Sequence, residues 1–301
     1  MWQLLCLAVP AGALTLALAN TAPKRTALQA KAAARFRGKK VWVTGASSGV
    51  GEAVALELAK CGAGLVLTAR REGALRDLEK RCLAAGAASA EVAPLDLGGG
   101  GYGPAVAAVC ASAKPDVLVH CAGVSTRAAA LESTDATDRA VFEVNFFAAA
   151  ALAKAVAGGL TARGARGDVC VVSSVQGLVG LPFRASYSAS KFALHGYFDA
   201  LRAELAASDI GVTLVCPGYV NTNLSKAALT ADGTAHAQVD AKTAAGMPAQ
   251  ACAVATLEAI ADRKGEVVLA KTDARAAILL RWLAPGVLRW YMAKRAGKQA
   301  A

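Results

Sequence analysis

The sequence predicts an α/β fold, a doubly wound parallel sheet in a single domain, and three observations point there. From residue 41 onward, short apolar runs alternate with stretches of helical periodicity. Runs such as "DVLVHCAG" and "GDVCVVSS" are apolar at successive positions, which suits strands covered by helices on both faces. The helical stretches, at roughly 10 to 25 residues, are long enough for right-handed crossovers between parallel strands.

In chain order, strands are expected at 41–44, 64–69, 90–95, 116–121, 168–173, 211–216 and 266–270. The stretch "DLGGGGYGP" after the third reads as a flexible connection, because the alternation continues on both sides of it. A chain of 301 residues with 55% hydrophobic content buries a large core, and residues 39–272 fit one open α/β domain better than two small ones.

The formal charge of +11 arises from 33 Lys and Arg against 22 Asp and Glu, and it is carried by the ends. No acidic residue precedes Glu52 and none follows Asp273. Residues 1–40 hold seven basic side chains and residues 274–301 hold six, which leaves 20 basic against 22 acidic residues between them. A nucleic-acid-binding domain would be basic through its body, so no nucleic-acid partner is expected. Basic ends beside apolar stretches suit an anionic membrane surface instead. The eight cysteines are scattered without a CxxC pair, and His120, His195 and His236 form no cluster in the sequence. No metal or disulfide is expected: the thiols read as buried or idle in a reducing compartment, the histidines as packed or surface imidazoles.

"VWVTGASSGVGEAVALELAKCGA" places Gly45, Gly49 and Gly51 between the first strand and an amphipathic helix. Unpaired N–H groups and the dipole at that helix start favour a pyrophosphate, and glycines let the backbone turn and approach it. Strand before and helix after make this a nucleotide loop rather than a bare turn. Where the second strand ends, an aspartate or glutamate would accept from the adenosine ribose; Arg70 and Arg71 stand there instead. A guanidinium pairs with a 2′-phosphate, so NADP(H) is the expected cofactor, with Arg70 as the contact and Arg71 as a solvated residue opening the next helix.

"SYSASKFALHGYFDALRAEL", residues 186–205, reads as a helix with Phe192, Phe198, Leu201 and Leu205 as its apolar stripe. Tyr187 and Lys191 are four residues apart and share one face near its start. A phenol with a pKa of about 10 is a poor acid–base group near neutrality, and an adjacent ammonium favours its phenolate.

Taken together, these pieces resemble the short-chain dehydrogenase/reductase family over roughly residues 39–272. TGASSGVG is similar to the family's TGxxxGxG loop, with Ser47, Ser48 and Val50 among its glycines. Asp96 and Leu97 resemble its adenine-contacting pair, and Asn145 in "VFEVNFF" its helix asparagine. "VSSVQGLVGLPFRASYSASKFA" is similar to the catalytic segment, with Ser174 thirteen residues before Tyr187 and Lys191 four after. "PGYVNT", containing Pro217, Gly218, Val220 and Thr222, resembles the stretch at the nicotinamide end. One departure stands out: His120-Cys121-Ala122-Gly123 replaces the usual Asn-Asn-Ala-Gly. It keeps the glycine that lets adenosine lie close and loses the asparagine hydrogen bonds.

The resemblance implies a Rossmann-type fold and hydride transfer. In it Tyr187 exchanges the proton, Lys191 acidifies the tyrosine and holds the nicotinamide ribose, and Ser174 binds the substrate oxygen. Asn145 would support a water and proton path behind Lys191. The same fold without turnover, as a nucleotide-binding sensor or scaffold, is the competing reading; an idle protein has no reason to keep the whole constellation.

The ends read separately from this domain. Residues 1–19, "MWQLLCLAVPAGALTLALA", are long enough to span a bilayer but are interrupted by Pro10 and Gly12. They fit an anchor, a cleaved signal or an organelle-targeting start, followed by a basic linker to residue 38. An anchored form would keep the catalytic domain in the cytosol, with the endoplasmic reticulum as the expected membrane. Residues 273–301 read as a basic interfacial tail, with a tail packed over the substrate cleft as the alternative. Both ends resemble the membrane-associated, member-7-type branch of the family. An apolar carbonyl or alcohol substrate follows from membrane association, and a homo-oligomer is expected.

Overall fold

The computed structural model describes residues 25–300, with side chains placed over 30–298; the apolar segment at 1–19 lies outside them. Its centre is a seven-stranded parallel sheet in the order β3-β2-β1-β4-β5-β6-β9. The strands are β1 (Lys40–Thr44), β2 (Gly64–Thr68), β3 (Ser89–Val92), β4 (Val117–His120), β5 (Gly167–Val172), β6 (Ile210–Pro217) and β9 (Glu266–Leu269). All seven lie where the apolar runs place them. β3 ends at Val92, earlier than expected, although Ala93 and Leu95 still donate to Leu67 and Ala69; Pro94 between them falls on the open edge, where its missing N–H breaks no ladder bond.

Successive strand residues face opposite layers, which is why the runs are apolar throughout. Val41, Val43, Leu65, Leu67, Val117 and Val119 pack on one side against α2 (Gly49–Lys60), α3 (Glu72–Ala84) and α9 (Ala249–Ala261). Trp42, Val66, Leu118, Val169 and Val171 pack on the other against α4 (Gly103–Ala113), α6 (Ala148–Ala162) and α7 (Ala185–Glu204). The first layer also takes in α1 (Arg25–Phe36): Phe36 is fully buried in it and Arg35 pairs with the buried Asp168 of β5. Part of the basic segment before residue 39 thus packs into the sheet domain and is more than a linker.

α5 (Asp135–Phe142), a single wide turn at Glu143–Phe147 and α6 form one continuous 28-residue helix. It is long and apolar enough to cross a membrane, but half of its most apolar window is buried. It is a core helix, with Leu152, Val156 and Leu160 against the sheet. After β6 the chain leaves the sheet to form a small parallel pair, β7 (Val220–Asn221) with β8 (Met247–Pro248), which frames a loop containing the short α8 (Ala241–Ala244). Beyond β9, α10 (Thr272–Leu283) and α11 (Pro285–Ala300) make a helical hairpin, with Pro285 opening the second helix where its missing N–H is harmless.

Strand order reverses between β1 and β4. In open α/β sheets that reversal opens a crevice at the carboxyl ends of the strands, and there the site lies.

Candidate active site

A cleft of about 950 Å³ runs along those strand ends. It is lined at one end by the β1–α2 loop with Gly45, Ser47, Ser48, Val50 and Gly51, together with Arg70, Asp96 and Leu97. Toward the other end stand Ala122, Gly123, Ser174, Tyr187, Lys191, Pro217, Gly218, Val220 and Thr222. Residues from Gly45 to Thr222 meet here because the loops and helix starts that carry them come after the carboxyl ends of the strands. Gly49, where a Cβ would come within 3.0 Å of Thr222, and the fully buried Asn145 are not part of the lining.

The glycine loop is built for close approach. Gly45 and Gly49 have φ of +66° and +62°, conformations that side chains disfavour, and a Cβ on Gly45 would come within 2.7 Å of the Ala122 nitrogen. A Cβ on Gly51 would strike the Gly45 carbonyl oxygen at 2.3 Å. The loop is folded tightly on itself ahead of α2, and its backbone is left bare toward the cleft, which fits a dinucleotide phosphate. Asp96 accepts from Gly98 N at 2.9 Å, fixing the turn beneath the adenosine end. Arg71 departs from expectation: its guanidinium donates to Ser47 O at 3.0 Å and Ser47 Oγ at 3.2 Å. It is tied to the glycine loop and lines the cleft, whereas Arg70 lines the cleft without such a tie. The loop holds one of the two arginines, and their adjacency in sequence does not say which.

α7 delivers Tyr187 and Lys191 from one face, both buried. The Lys191 ammonium sits 5.8 Å from the Tyr187 ring centroid and donates to Val172 O at 3.0 Å. Ser174 follows two residues later, where β5 ends, and its hydroxyl hydrogen-bonds Tyr187 while accepting from Gln176 N at 3.1 Å. Burial pushes the Tyr187 phenol above its ordinary value, against the Ser174 hydrogen bond and the charges of Arg127 and Arg184, which lower it. Burial also brings Lys191 down to about 8. The sequence leads one to expect a net lowering of the tyrosine by the lysine. Here desolvation outweighs the charges that lower it, those of Arg127 and Arg184 among them.

Asn145 occupies the wide turn between α5 and α6. Its Nδ2 donates to Val124 O and Ser190 Oγ, both at 2.9 Å, and its Oδ1 accepts from Val124 N at 2.8 Å. It pins the chain after β4 to α7, and single wide turns of this kind often mark functional positions. In the departing His120-Cys121 pair, His120 Nδ1 lies 2.9 Å from Thr44 Oγ1, linking β4 to β1, and its Nε2 has no partner. Burial and, secondarily, the Lys191 charge hold this imidazole neutral, down to about 3.

Two features escape the sequence. Arg127 and Arg184 converge on Asp240: Arg127 bonds it through Nε at 3.1 Å and Nη2 at 2.5 Å, and Arg184 at 3.1 Å. The three come from a loop, the start of α7 and the segment before α8, so no spacing announces them. Second, His195, read as an isolated imidazole, meets Cys216 and Glu266.

A family model described as short chain dehydrogenase matches residues 39–233. A dehydrogenase/reductase SDR family protein 7-like from Anopheles gambiae is 41% identical over 274 residues, covering 88% of this chain and 86% of that protein. Among solved structures, a short-chain dehydrogenase/reductase from Burkholderia phymatum in complex with NAD is 28% identical with a TM-score of 0.73, covering 82% of this chain and 93% of the other. A short-chain dehydrogenase from Burkholderia cenocepacia in complex with NADP is 25% identical with a TM-score of 0.70, covering 85% and 98%. With its parallel sheet, glycine loop and Ser174–Tyr187–Lys191 cluster, the chain belongs to the short-chain dehydrogenase/reductase family of oxidoreductases, which work with a nicotinamide dinucleotide.

Proposed function

We propose that the protein is an NADP(H)-dependent oxidoreductase that interconverts a carbonyl and a secondary alcohol on a lipid-like substrate at a membrane surface. The observation that carries this reading is that Ser174, Tyr187 and Lys191 line the same cleft as the glycine loop and Arg70. A bound nicotinamide supplies or accepts the hydride. Negative charge builds on the carbonyl oxygen during reduction, and the Tyr187 hydroxyl delivers the proton it needs. Ser174 hydrogen-bonds the same oxygen. Lys191 spends one N–H on Val172 O, so two remain for the ribose hydroxyls and for stabilising the phenolate left behind. Arg70, free of the loop tie that holds Arg71, is the partner for a 2′-phosphate.

Membrane association is supported by the α10–α11 hairpin. Trp282 is 77% exposed and Leu283 69%, with Val287, Trp290 and Tyr291 also open to solvent, among basic residues and no acid after Asp273. A basic N-terminal flank adds to this, and an anchored chain would hold the domain on the cytosolic side.

One observation refines the substrate. Two arginines share a single carboxylate beside Tyr187, leaving an excess positive charge within the cleft. An otherwise apolar carbonyl compound bearing an acidic group would complete it.

The test is single-turnover hydride transfer from 4-labelled NADPH to a panel of lipid ketones with and without an acidic headgroup. Label in the product, better with the acidic members, is expected from the wild type. Tyr187→Phe removes only the hydroxyl and should bind NADPH normally while turnover falls about a thousandfold or more. Transfer by Tyr187→Phe within tenfold of wild type rejects the proton donor. Cofactor binding without transfer to any ketone would favour the idle sensor.

A further inference from the structure

Tyr187, Lys191 and His195 follow one another at four-residue steps along one face of α7, and all three are buried. Each meets a consecutive residue at the end of β5. Tyr187 pairs with Ser174, Lys191 with the carbonyl of Val172, and His195 Nε2 lies 3.1 Å from Ser173 Oγ. The first two contacts belong to the proposed reaction; the third has no part in it so far.

The chain of contacts continues outward from the imidazole. Its Nδ1 lies 3.1 Å from a Glu266 carboxylate oxygen on β9, and its Nε2 lies 3.7 Å from Cys216 Sγ on β6. The carboxylate and the thiol therefore stand off different ring nitrogens, an arrangement of linked hydrogen bonds rather than of ligands around one ion. An ionised carboxylate only accepts, so the hydrogen shared with Glu266 sits on Nδ1, and in that tautomer Nε2 is left as the acceptor. The Ser173 hydroxyl donates to it. Its other option, the Lys191 carbonyl at 3.5 Å, is at the limit of a hydrogen bond. Packing points the same way: a Cβ on Gly177 would fall 2.6 Å from His195 Nε2 and 2.8 Å from Ser173 Oγ. The turn that Ser174 caps, residues 175–177, is thus seated directly on the imidazole.

We propose that His195, oriented by Glu266, is a positioning residue for catalysis: through Ser173 and Gly177 it fixes the strand end and turn that aim Ser174 at the substrate oxygen. The side chain touches neither cofactor nor substrate. Its effect falls on the chemical step, because a hydroxyl displaced by a fraction of an ångström from the developing oxyanion stabilises it poorly while the nucleotide cradle stays intact. This inference rests on the Ser174–Tyr187–Lys191 reading of the site.

The experiment compares His195→Leu, His195→Gln, Ser173→Ala and the His195→Leu/Ser173→Ala double variant, with Tyr187→Phe alongside. The measured quantities are hydride transfer, NADPH dissociation constant and melting temperature. Leucine removes the acceptor, and kcat should fall by about ten- to a hundredfold with the cofactor constant within twofold of wild type. Glutamine can accept from Ser173 through its amide oxygen and donate to Glu266, and should recover most of that loss. The double variant should be no slower than the slower single, because both break one contact. Equal rates for the leucine and glutamine variants, or fully multiplicative losses, overturn the proposal. Should His195→Leu fail to fold, Ser173→Ala and His195→Gln decide: a tenfold slower Ser173→Ala beside a near-normal glutamine variant supports it, and a normal Ser173→Ala overturns it. If Tyr187→Phe retains turnover, the reading of the catalytic site has failed, which is distinct from failure of the His195 proposal.

Discussion

At the scale of single residues, Arg70 and His120 are where this chain makes its own choices. Arg70 stands at the end of β2 with no acidic residue beside it in the cleft wall but Asp96, which is turned to its own backbone. Arg70→Asp should replace a charge-assisted contact to a 2′-phosphate by repulsion, an effect of about 2 to 4 kcal/mol or roughly 30- to 1,000-fold. NADPH affinity should fall by that factor with little change for NADH; an unchanged ratio of the two affinities rejects the contact. His120 carries a pH signature. Folding holds its pKa down at about 3, while in the unfolded chain it titrates at its ordinary 6.5. As pH falls below 6.5 the unfolded state therefore binds the extra proton first, and stability is lost progressively toward pH 3. His120→Asn has no such proton to take up. Between pH 7 and 4.5, urea denaturation should show the variant losing about 2 to 3 kcal/mol less than wild type. Equal losses would mean that another group sets the acid limit.

At the scale of elements, α7 and the C-terminal hairpin show how sequence and packing divide the work. The four-residue spacing of Tyr187 and Lys191 is legible because a helix turns once per 3.6 residues and aligns them whatever else happens. That the same stripe continues to His195 is equally periodic, yet its meaning depends on β5, β6 and β9 arriving opposite. The hairpin's composition predicts either an interfacial segment or a tail packed over the cleft, and the structure packs one face of it onto the body. Arg281 stacks on the Phe192 ring at 4.3 Å and donates to Leu178 O, Arg295 donates to the Tyr219 hydroxyl, and Leu288 is buried. Trp282 and Trp290 remain largely exposed, Trp290 on the side of its helix away from Leu288 and Arg295. One face is thus held near the cleft while the other is open to solvent. Trp282→Glu/Trp290→Glu alters only the outer face, and should reduce flotation with anionic liposomes by about tenfold or more at moderate salt, with NADPH affinity unchanged. Undiminished flotation would assign those aromatics to another surface.

At the scale of the whole molecule, charge and hydrophobicity are partitioned: a nearly neutral body with two basic ends. The C-terminal end, like the α1 helix of the other, folds back onto that body. α1 puts Phe36 into the core beneath the sheet and Arg35 against Asp168 of β5, which also meets Arg263 after α9, so the start of the domain is tied to its later half. The order of strands and helices, the buried runs, the glycine loop and the Ser174–Tyr187–Lys191 spacing were determined by the sequence alone. They depend on local periodicity and backbone conformation, which neighbouring residues dictate. The Arg127–Asp240–Arg184 cluster, the tie from Arg71 to Ser47, the orphaned nitrogen of His120 and the Glu266–His195–Ser173 chain were decided only by the tertiary structure. Each joins side chains from different crossovers, and no local pattern records which residues a parallel sheet brings side by side. The Tyr187 phenol shows the same division: sequence names its neighbours, but whether burial or charge governs its proton depends on how completely the fold removes water.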